Sequence, residues 1–428
     1  MATQNPGTQL RYAGDVNIEK IDIITPKGVY INVKNQLIQI RIFEDIFSPF
    51  TSLSLTIRES QDFINALPLR GEEIVNLEIS TPTFDKEELF FKGKYYVYKI
   101  SDRQLLTDRN TVYTLNCISY EALIDLNMKQ SKSYKGNIAD MVKEFLGKEG
   151  FNTTKKYNIE PTKNSTKYVS NYWSPVKNLN FLATQAITNE GNASYLFFEN
   201  RRGFNFVSLE KLYQQNTYQK FIKDNYTRDT TGNTSTRNVE RDYQRILDFK
   251  VRVPFDALKF TNSGTYASKL YSYDLVKKKY VAKEYNALSN FSKSAHLNKV
   301  PLYTDAKPVS PSNFIFNEIK HYGSHTGFAD TSNVNIQQQR NSKMGIIRSN
   351  VIEINVFGRT DYTVGQKVYV ELPKPTVLTE KDQSNTDRES GYIDTVYSGN
   401  YIITAINHVI SREKHTCIIE LSKDSKIE

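Results

Sequence analysis

At 428 residues, 39% hydrophobic and 24% charged, the chain is long enough for two to four domains that each bury a core. No stretch approaches the ~18 uninterrupted apolar residues that cross a membrane as a helix, and Met1 to Gly14 lacks the apolar segment of a secretory signal, so a chain that folds in a cytosol without stable membrane insertion is expected. The net charge of +9 is spread along the chain, with only short runs at Arg201-Arg202 and Lys277-Lys278-Lys279, whereas a dedicated nucleic-acid binder gathers its charge into one stripe.

Residues 1–14 read as a flexible arm. Period-two alternation follows at 29–33, 37–43, 53–57, 73–79, 94–100 and 111–118, divided by turn signals at Pro26-Lys-Gly28, Pro49 and Gly71. Such spacing predicts a β-barrel or sandwich over 15–119, with one short helix at Ser60–Leu67 stopped by Pro68. The next stretch, 120–243, changes character. Apolar residues at 138, 141, 142, 145 and 146 predict an amphipathic helix that Asn137 caps and Gly147 ends. A second helix fits 175–189, and an aromatic hairpin follows, with strands over 193–198 and 204–209. This part is a small peripheral α+β domain. Residues 244–280 and 346–428 return to strand patterning, while 281–345 form a polar insertion to which the pattern assigns no role. The fold class is therefore mainly β with a smaller α+β part. Tyr213 to Asn238 and Ala287 to Ser342 carry weak pattern, and stretches that long usually contact something.

The strand-rich parts repeat. Leu37–Phe43 matches Val351–Phe357 in side-chain class, Gly71–Pro82 matches Gly365–Pro375 with one deletion, and Gly93–Ile100 matches Gly399–Ile406 without a gap. Each copy ends in a strand with a cysteine, Cys117 and Cys417. The two read as small buried strand residues, although a single bridge between them is possible. Three blocks in one order argue for a duplicated β-module. Gly71, Gly93 and Tyr95 in the first copy, and Gly365, Gly399, Tyr401 and His408 in the second, are expected to be structural positions. A closed ring of three such chains would present six like modules on a threefold body.

Several of these stretches resemble the trimeric baseplate hub family of contractile-tailed bacteriophages, whose relatives form the upper part of the type VI secretion spike. The carriers are Phe47-Ser-Pro49, Leu53–Ser60, Leu67–Glu73 and the strand Val75–Ile79 in the first copy. In the second they are Gly358, Val364–Val370 and Ser398–His408, the last similar to the family's strand ending in histidine. The resemblance implies two tube-like domains per chain and a homotrimeric ring around a channel. Its partners would be the tail tube above, the central spike below and other baseplate proteins, with DNA passing transiently through. The implied setting is the virion tail baseplate, assembled in the host cytoplasm. Some relatives carry a fused spike domain or cell-wall hydrolase; this chain ends at Glu428, directly after the second copy, and neither is expected.

No catalytic, cofactor or metal site is expected. Of five histidines only His321 and His325 stand close in sequence, and the Tyr-Gly-Ser between them favours a loop over the helix an i, i+4 metal pair needs. No Gly-rich phosphate loop, GxSxG elbow or CxxC occurs. His408 is expected to be packed or hydrogen-bonded. The competing reading is a carbohydrate-binding adhesin or cell-wall hydrolase at a tail tip, which would use the aromatic hairpin Tyr195–Phe206 as a stacking surface.

Overall fold

The computed structural model describes residues 12–60, 69, 71–82, 90–107, 110–223, 239–253, 256–274, 278–303, 314–318, 336–374 and 393–427. Residues 61–67 of the helix expected at Ser60–Leu67, the His321/His325 pair and residues 1–11 lie outside these.

The first module is built from β1 (Asn17–Ile24), β2 (Tyr30–Asn32), β3 (Leu37–Asp45), β4 (Ser52–Glu59), β5 (Ile74–Ser80), β6 (Phe90–Thr107) and β7 (Asn110–Ser119). Their order in the sheet is β3-β4-β7-β6-β5-β1-β2, all antiparallel. Alternation sends every second side chain inward: Leu53, Leu55 and Ile57 of β4 are buried with Val75, Leu77 and Ile79 of β5, forming one core with Cys117.

The peripheral part follows with α1 (Tyr120–Asn127), β8 (Ser133–Asn137), α2 (Ile138–Leu146), β9 (Tyr157–Ile159), β10 (Ser165–Val169), α3 (Pro175–Gln185), the hairpin β11 (Tyr195–Asn200) and β12 (Gly203–Ser208), and α4 (Leu209–Tyr213). Asn137 caps α2 as expected, its Oδ1 accepting from the Ala139 amide at 2.9 Å. Helix α3 stops at Gln185, four residues before the expected Asn189. Ala186 is extended, and the Ile187 amide leaves the helix to donate to Asn164 Oδ1 at 3.1 Å. Both Ile187 and Thr188 are β-branched, which weakens a helix at the point where a side-chain acceptor competes for its amide.

The second module contains β13 (Gln219–Ile222), β14 (Ile246–Val253), β19 (Val351–Phe357), β20 (Lys367–Glu371), β21 (Gly399–Ile410) and β22 (His415–Ser422), in the order β14-β19-β22-β21-β20-β13. The two modules are one 13-stranded sheet, because β21 also pairs with β3. Helix α5 (Val239–Gln244) precedes β14, and between β14 and β19 the chain makes α6 (Ala257–Asn262) and α7 (Gln337–Ile347). It also makes a separate sheet of β15 (Ala267–Asp274), β16 (Lys279–Asn286) and β18 (Phe314–Glu318), and the short pair β17 (Val300–Pro301) with β23 (Ser425–Lys426).

Residue 280, where the sequence pattern closes the first piece of the second module, falls inside β16, which pairs with β15 from Ala267/Asn286 to Asp274/Lys279. The described part of 281–345 is docked. Asn298 donates to the carbonyls of Asn400 and Ser425 at 3.1 and 2.9 Å, and Arg340 of α7 donates to the Ala183 and Tyr195 carbonyls, both at 2.9 Å. Polarity here reflects side chains bonded to backbone, a role that hydrophobic patterning does not detect. Tyr12 to Gly14, the end of the stretch read as an arm, is also held: Tyr12 donates to the Glu413 carbonyl at 2.5 Å, and the Gly14 carbonyl accepts from the His415 amide at 2.8 Å.

The register shows how the halves correspond. Leu77 faces Gly93 as Val370 faces Gly399, and Val97 faces Cys117 as Ile403 faces Leu421. Immediately afterwards both ladders slip, between Val97 and Lys99 and between Ile403 and Ala405. The matched blocks at Gly71/Gly365 and Gly93/Gly399 therefore occupy like strands. The first block does not. Leu53 faces Cys117 as Ile352 faces Leu421, so Val351–Phe357 takes the place of β4, and Ile246–Val253 takes the place of β3. Cys117 thus stands where Leu421 does, not where Cys417 does. Similar alternation in neighbouring strands misled the block match by one strand.

Because β21 is flanked on both sides over 405–410, a proline there removes a ladder bond that nothing replaces, at a cost of about 3 kcal/mol or more. Asn407→Pro is expected to lower the calorimetric midpoint and to split one unfolding transition into two; a single transition at the parental temperature would show that the two half-sheets do not depend on this pairing.

Candidate functional site: the seam between the half-sheets

At the seam Ala405 to Ile410 pair with Asp45 to Ile40, and the Ile46 amide extends the ladder by donating to the Thr404 carbonyl at 2.9 Å. Beside it lies a buried polar group. Glu44, 2% exposed, accepts from Thr363 Oγ1 at 2.5 Å, the Val364 amide at 3.2 Å and the Arg201 amide at 2.9 Å. One carboxylate thereby joins the first module, the tip of the peripheral hairpin and the loop before β20. Burial raises the Glu44 pKa, against the pull of these donors and the Arg201 charge. The Arg201 guanidinium donates to the Thr360 carbonyl, while Asp361 accepts from Arg359 Nε at 3.1 Å and from the Tyr218 hydroxyl.

Next to this group three donor atoms converge. His408 Nδ1 lies 3.0 Å from His415 Nε2 and 3.2 Å from Cys417 Sγ, and Cys417 Sγ lies 3.5 Å from His415 Nε2. The hairpin β21–β22 explains the convergence. His408 sits directly opposite Cys417, and His415 and Cys417, two apart in one strand, share a face. All three are buried. A Cβ on Gly358 would overlap the His415 ring, so only glycine lets that backbone pass so close. Burial, then the Arg201 charge, lowers His408 to about 4, and burial holds His415 well below its ordinary value, so both rings are neutral at pH 7. Burial raises the Cys417 thiol, opposed by the Arg359 backbone N–H.

A second junction ties the peripheral part to the first module. Lys155 Nζ lies 2.6 Å from each of Ser119 Oγ, Glu121 Oε2 and Glu199 Oε1. Burial disfavours the lysine's charge, but the two carboxylates outweigh it and raise its pKa. Both acids are spent on one ammonium, and Glu199 also accepts from the Thr51 amide at 3.0 Å. This is a clamp in which neither carboxylate is left over for acid–base work.

The seven positions singled out in the sequence do not converge. Gly71 and Gly365 take the left-handed region, with φ of 97° and 85°, where they lead into β5 and β20. Gly93 and Gly399 lie opposite Leu77 and Val370. Tyr95 is buried against Phe91, and Tyr401 is buried with its hydroxyl donating to the Tyr397 carbonyl at 2.5 Å. Only His408 lies at the seam. Glu44, Arg201, Asp361 and His415 were missed. The His-x-Cys at 415–417 on a strand facing His408 was a legible signal; the partners of Glu44, distant in sequence, were not.

The rings of Tyr195, Phe197, Phe198, Phe204 and Phe206 are all under 5% exposed. One face of the hairpin packs on the peripheral helices and the other on the core of the second module. No stacking surface for a sugar exists there.

No family model matches the chain. Over 418 residues it is 21% identical to "Probable baseplate hub protein gp334" of Vibrio phage KVP40, covering 92% of each. The fold is similar to the 43 kDa tail protein of prophage MuSo2 from Shewanella oneidensis, with a TM-score of 0.56 at 10% identity over 95% of this chain and 99% of that one. It is also similar to a tail protein from Neisseria meningitidis MC58, with a TM-score of 0.52 at 8% identity over 95% and 96%. The resemblance to baseplate hub proteins first seen in short strand motifs thus extends over nearly the whole chain, and the fold is one found in phage tail proteins.

Replacing Glu44 with Ala leaves three buried donors without an acceptor, a loss of about 3–5 kcal/mol. Denaturant unfolding of Glu44→Ala is expected to show that loss, with Glu44→Gln losing less. Lys423, fully buried at the end of the second core, donates to the Ser398 carbonyl at 3.1 Å, 4.9 Å from the Tyr401 ring. Burial lowers its pKa from 10.5 to about 7, opposed by Asp394. The unfolded chain keeps that proton up to the ordinary value and the folded chain loses it from about 7, so this group's penalty is full below pH 7 and fades as pH rises toward 10.5. Lys423→Met is expected to flatten the rise in stability across that window; an unchanged slope would remove Lys423 as its source.

Proposed function

We propose that the chain is a structural baseplate hub protein of a contractile phage tail, a homotrimeric ring that adapts a sixfold tail tube to a threefold central spike and leaves a channel for the tail's contents. The observation that carries this reading is the single sheet made of two halves with the same strand order and the same bulge. We take the halves as a duplication. Three such chains in a closed ring present six like modules, the arrangement a sixfold-to-threefold junction requires. The similarity to a probable baseplate hub protein over 92% of both chains supports the same reading.

Differences between the halves fit the division of labour such a ring needs. The outer neighbour of β5 is the antiparallel β1, whereas that of β20 is the parallel β13. The long β6–β7 hairpin carries exposed Tyr98, Leu105 and Leu106, at 55, 71 and 52% exposure, and β21–β22 has no such apolar extension. Exposed apolar side chains of this size suit contact with another protein. The partners proposed are further copies of the chain, the tail tube, the central spike and other baseplate proteins, in a virion assembled in the host cytoplasm.

Light scattering on the purified protein is expected to give three times the chain mass of 49.4 kDa. Leu105→Asp with Leu106→Asp is expected to weaken association with a neighbouring component without unfolding the chain. A monomer at all concentrations, alone and with neighbouring tail components, would overturn the ring.

A further inference from the structure

We infer that His408, His415 and Cys417 supply three donors of a site for a thiolate- and imidazole-preferring divalent metal ion, with zinc the expected occupant. The inference rests on geometry. Zinc bound tetrahedrally by imidazole nitrogen at about 2.0–2.1 Å and thiolate sulfur at about 2.3 Å holds neighbouring donor atoms roughly 3.3–3.6 Å apart. The three separations here are 3.0, 3.2 and 3.5 Å, so movements of a few tenths of an ångström complete a three-donor face. All three residues are buried, and their donor atoms lie within 4.8 Å of one another.

The surroundings are those of a ligand set. One ring nitrogen of His408 meets the Tyr362 backbone carbonyl, which places its proton there and leaves the Nδ1 lone pair facing the other two donors. The Arg359 backbone N–H is directed at Cys417 Sγ, where it stabilises a thiolate. Metal-free, the group is poorly satisfied. His408 Nδ1 and His415 Nε2 have at most a shared proton between them. On binding, the ion takes the Cys417 sulfur as thiolate and the thiol proton leaves to solvent; both imidazoles bind as neutral rings, and no electron is transferred. The ion would cross-link β21 to β22 beside the seam, with Gly358 closing over the His415 ring. Cys117, the other buried thiol, belongs to no such cluster among the described residues and serves as the control.

The test is metal analysis of the full-length protein purified without chelator, followed by chelator dialysis and titration with zinc or cobalt(II). One equivalent per chain is expected, cobalt giving the thiolate charge-transfer band and intense visible bands of a tetrahedral site. Refilling with zinc is expected to raise the thermal midpoint. Cys117→Ser is expected to keep the metal, and Cys417→Ser and His408→Gln to bind it at least tenfold more weakly. Because those variants could fail to fold, the wild-type cobalt spectrum decides. No bound metal, or a cobalt spectrum without a thiolate band, would overturn the inference and leave a hydrogen-bonded thiol–imidazole cluster.

Discussion

Six residue pairs, Ala405/Asp45 to Ile410/Ile40, make one sheet out of two. Their backbone hydrogen bonds are reinforced by an exchange of side chains: Ile46, which continues β3, is buried in the core of the second module, and Ile410, at the end of β21, is buried in the core of the first. Each core is therefore incomplete without a residue from the other half. Both isoleucines are at most 1% exposed, and burying a side chain of this kind contributes about 1.5–3 kcal/mol. The relative placement of the halves is then a property of the fold, as the proposed ring requires.

Polar chemistry refines what the ladder begins. Glu44 binds donors from two separate stretches, Arg201 and Thr363-Val364, and Lys155 binds acceptors from two, Ser119 to Glu121 and Glu199, so the peripheral hairpin is fixed at its tip and along its flank. Such groups are costly to bury, and a misplaced hairpin would leave them unpaired. They make one arrangement of the parts far better than its neighbours. The seam is also where His408, His415 and Cys417 meet, so the region that sets the geometry also gathers three potential ligand atoms.

Much of this was legible in the sequence. Strands with period-two alternation, Asn137 as a cap and the duplicated Gly-x-Tyr strands were read from local pattern, and local pattern decides them. The strand identity of Val351–Phe357 was not, because alternating β-branched residues look alike in adjacent strands; only the register against Leu421 separates them. The docked insertion was missed because Asn298, Gln338 and Arg340 act on backbone atoms far along the chain. Nor did the pattern show that Tyr195–Phe206 is covered on both faces, since a two-sided buried hairpin and an exposed aromatic one share a composition.

The central claim is that two like half-sheets, locked at one seam, serve as successive units of a ring. Electron cryomicroscopy of the assembled protein measures it directly, through the rotation that superposes one half-sheet on the other. A ring of six like units requires a rotation of about sixty degrees around the channel axis, with three chains completing the circle. Half-sheets related by a clearly different angle, or chains that do not close around a channel, would contradict the account.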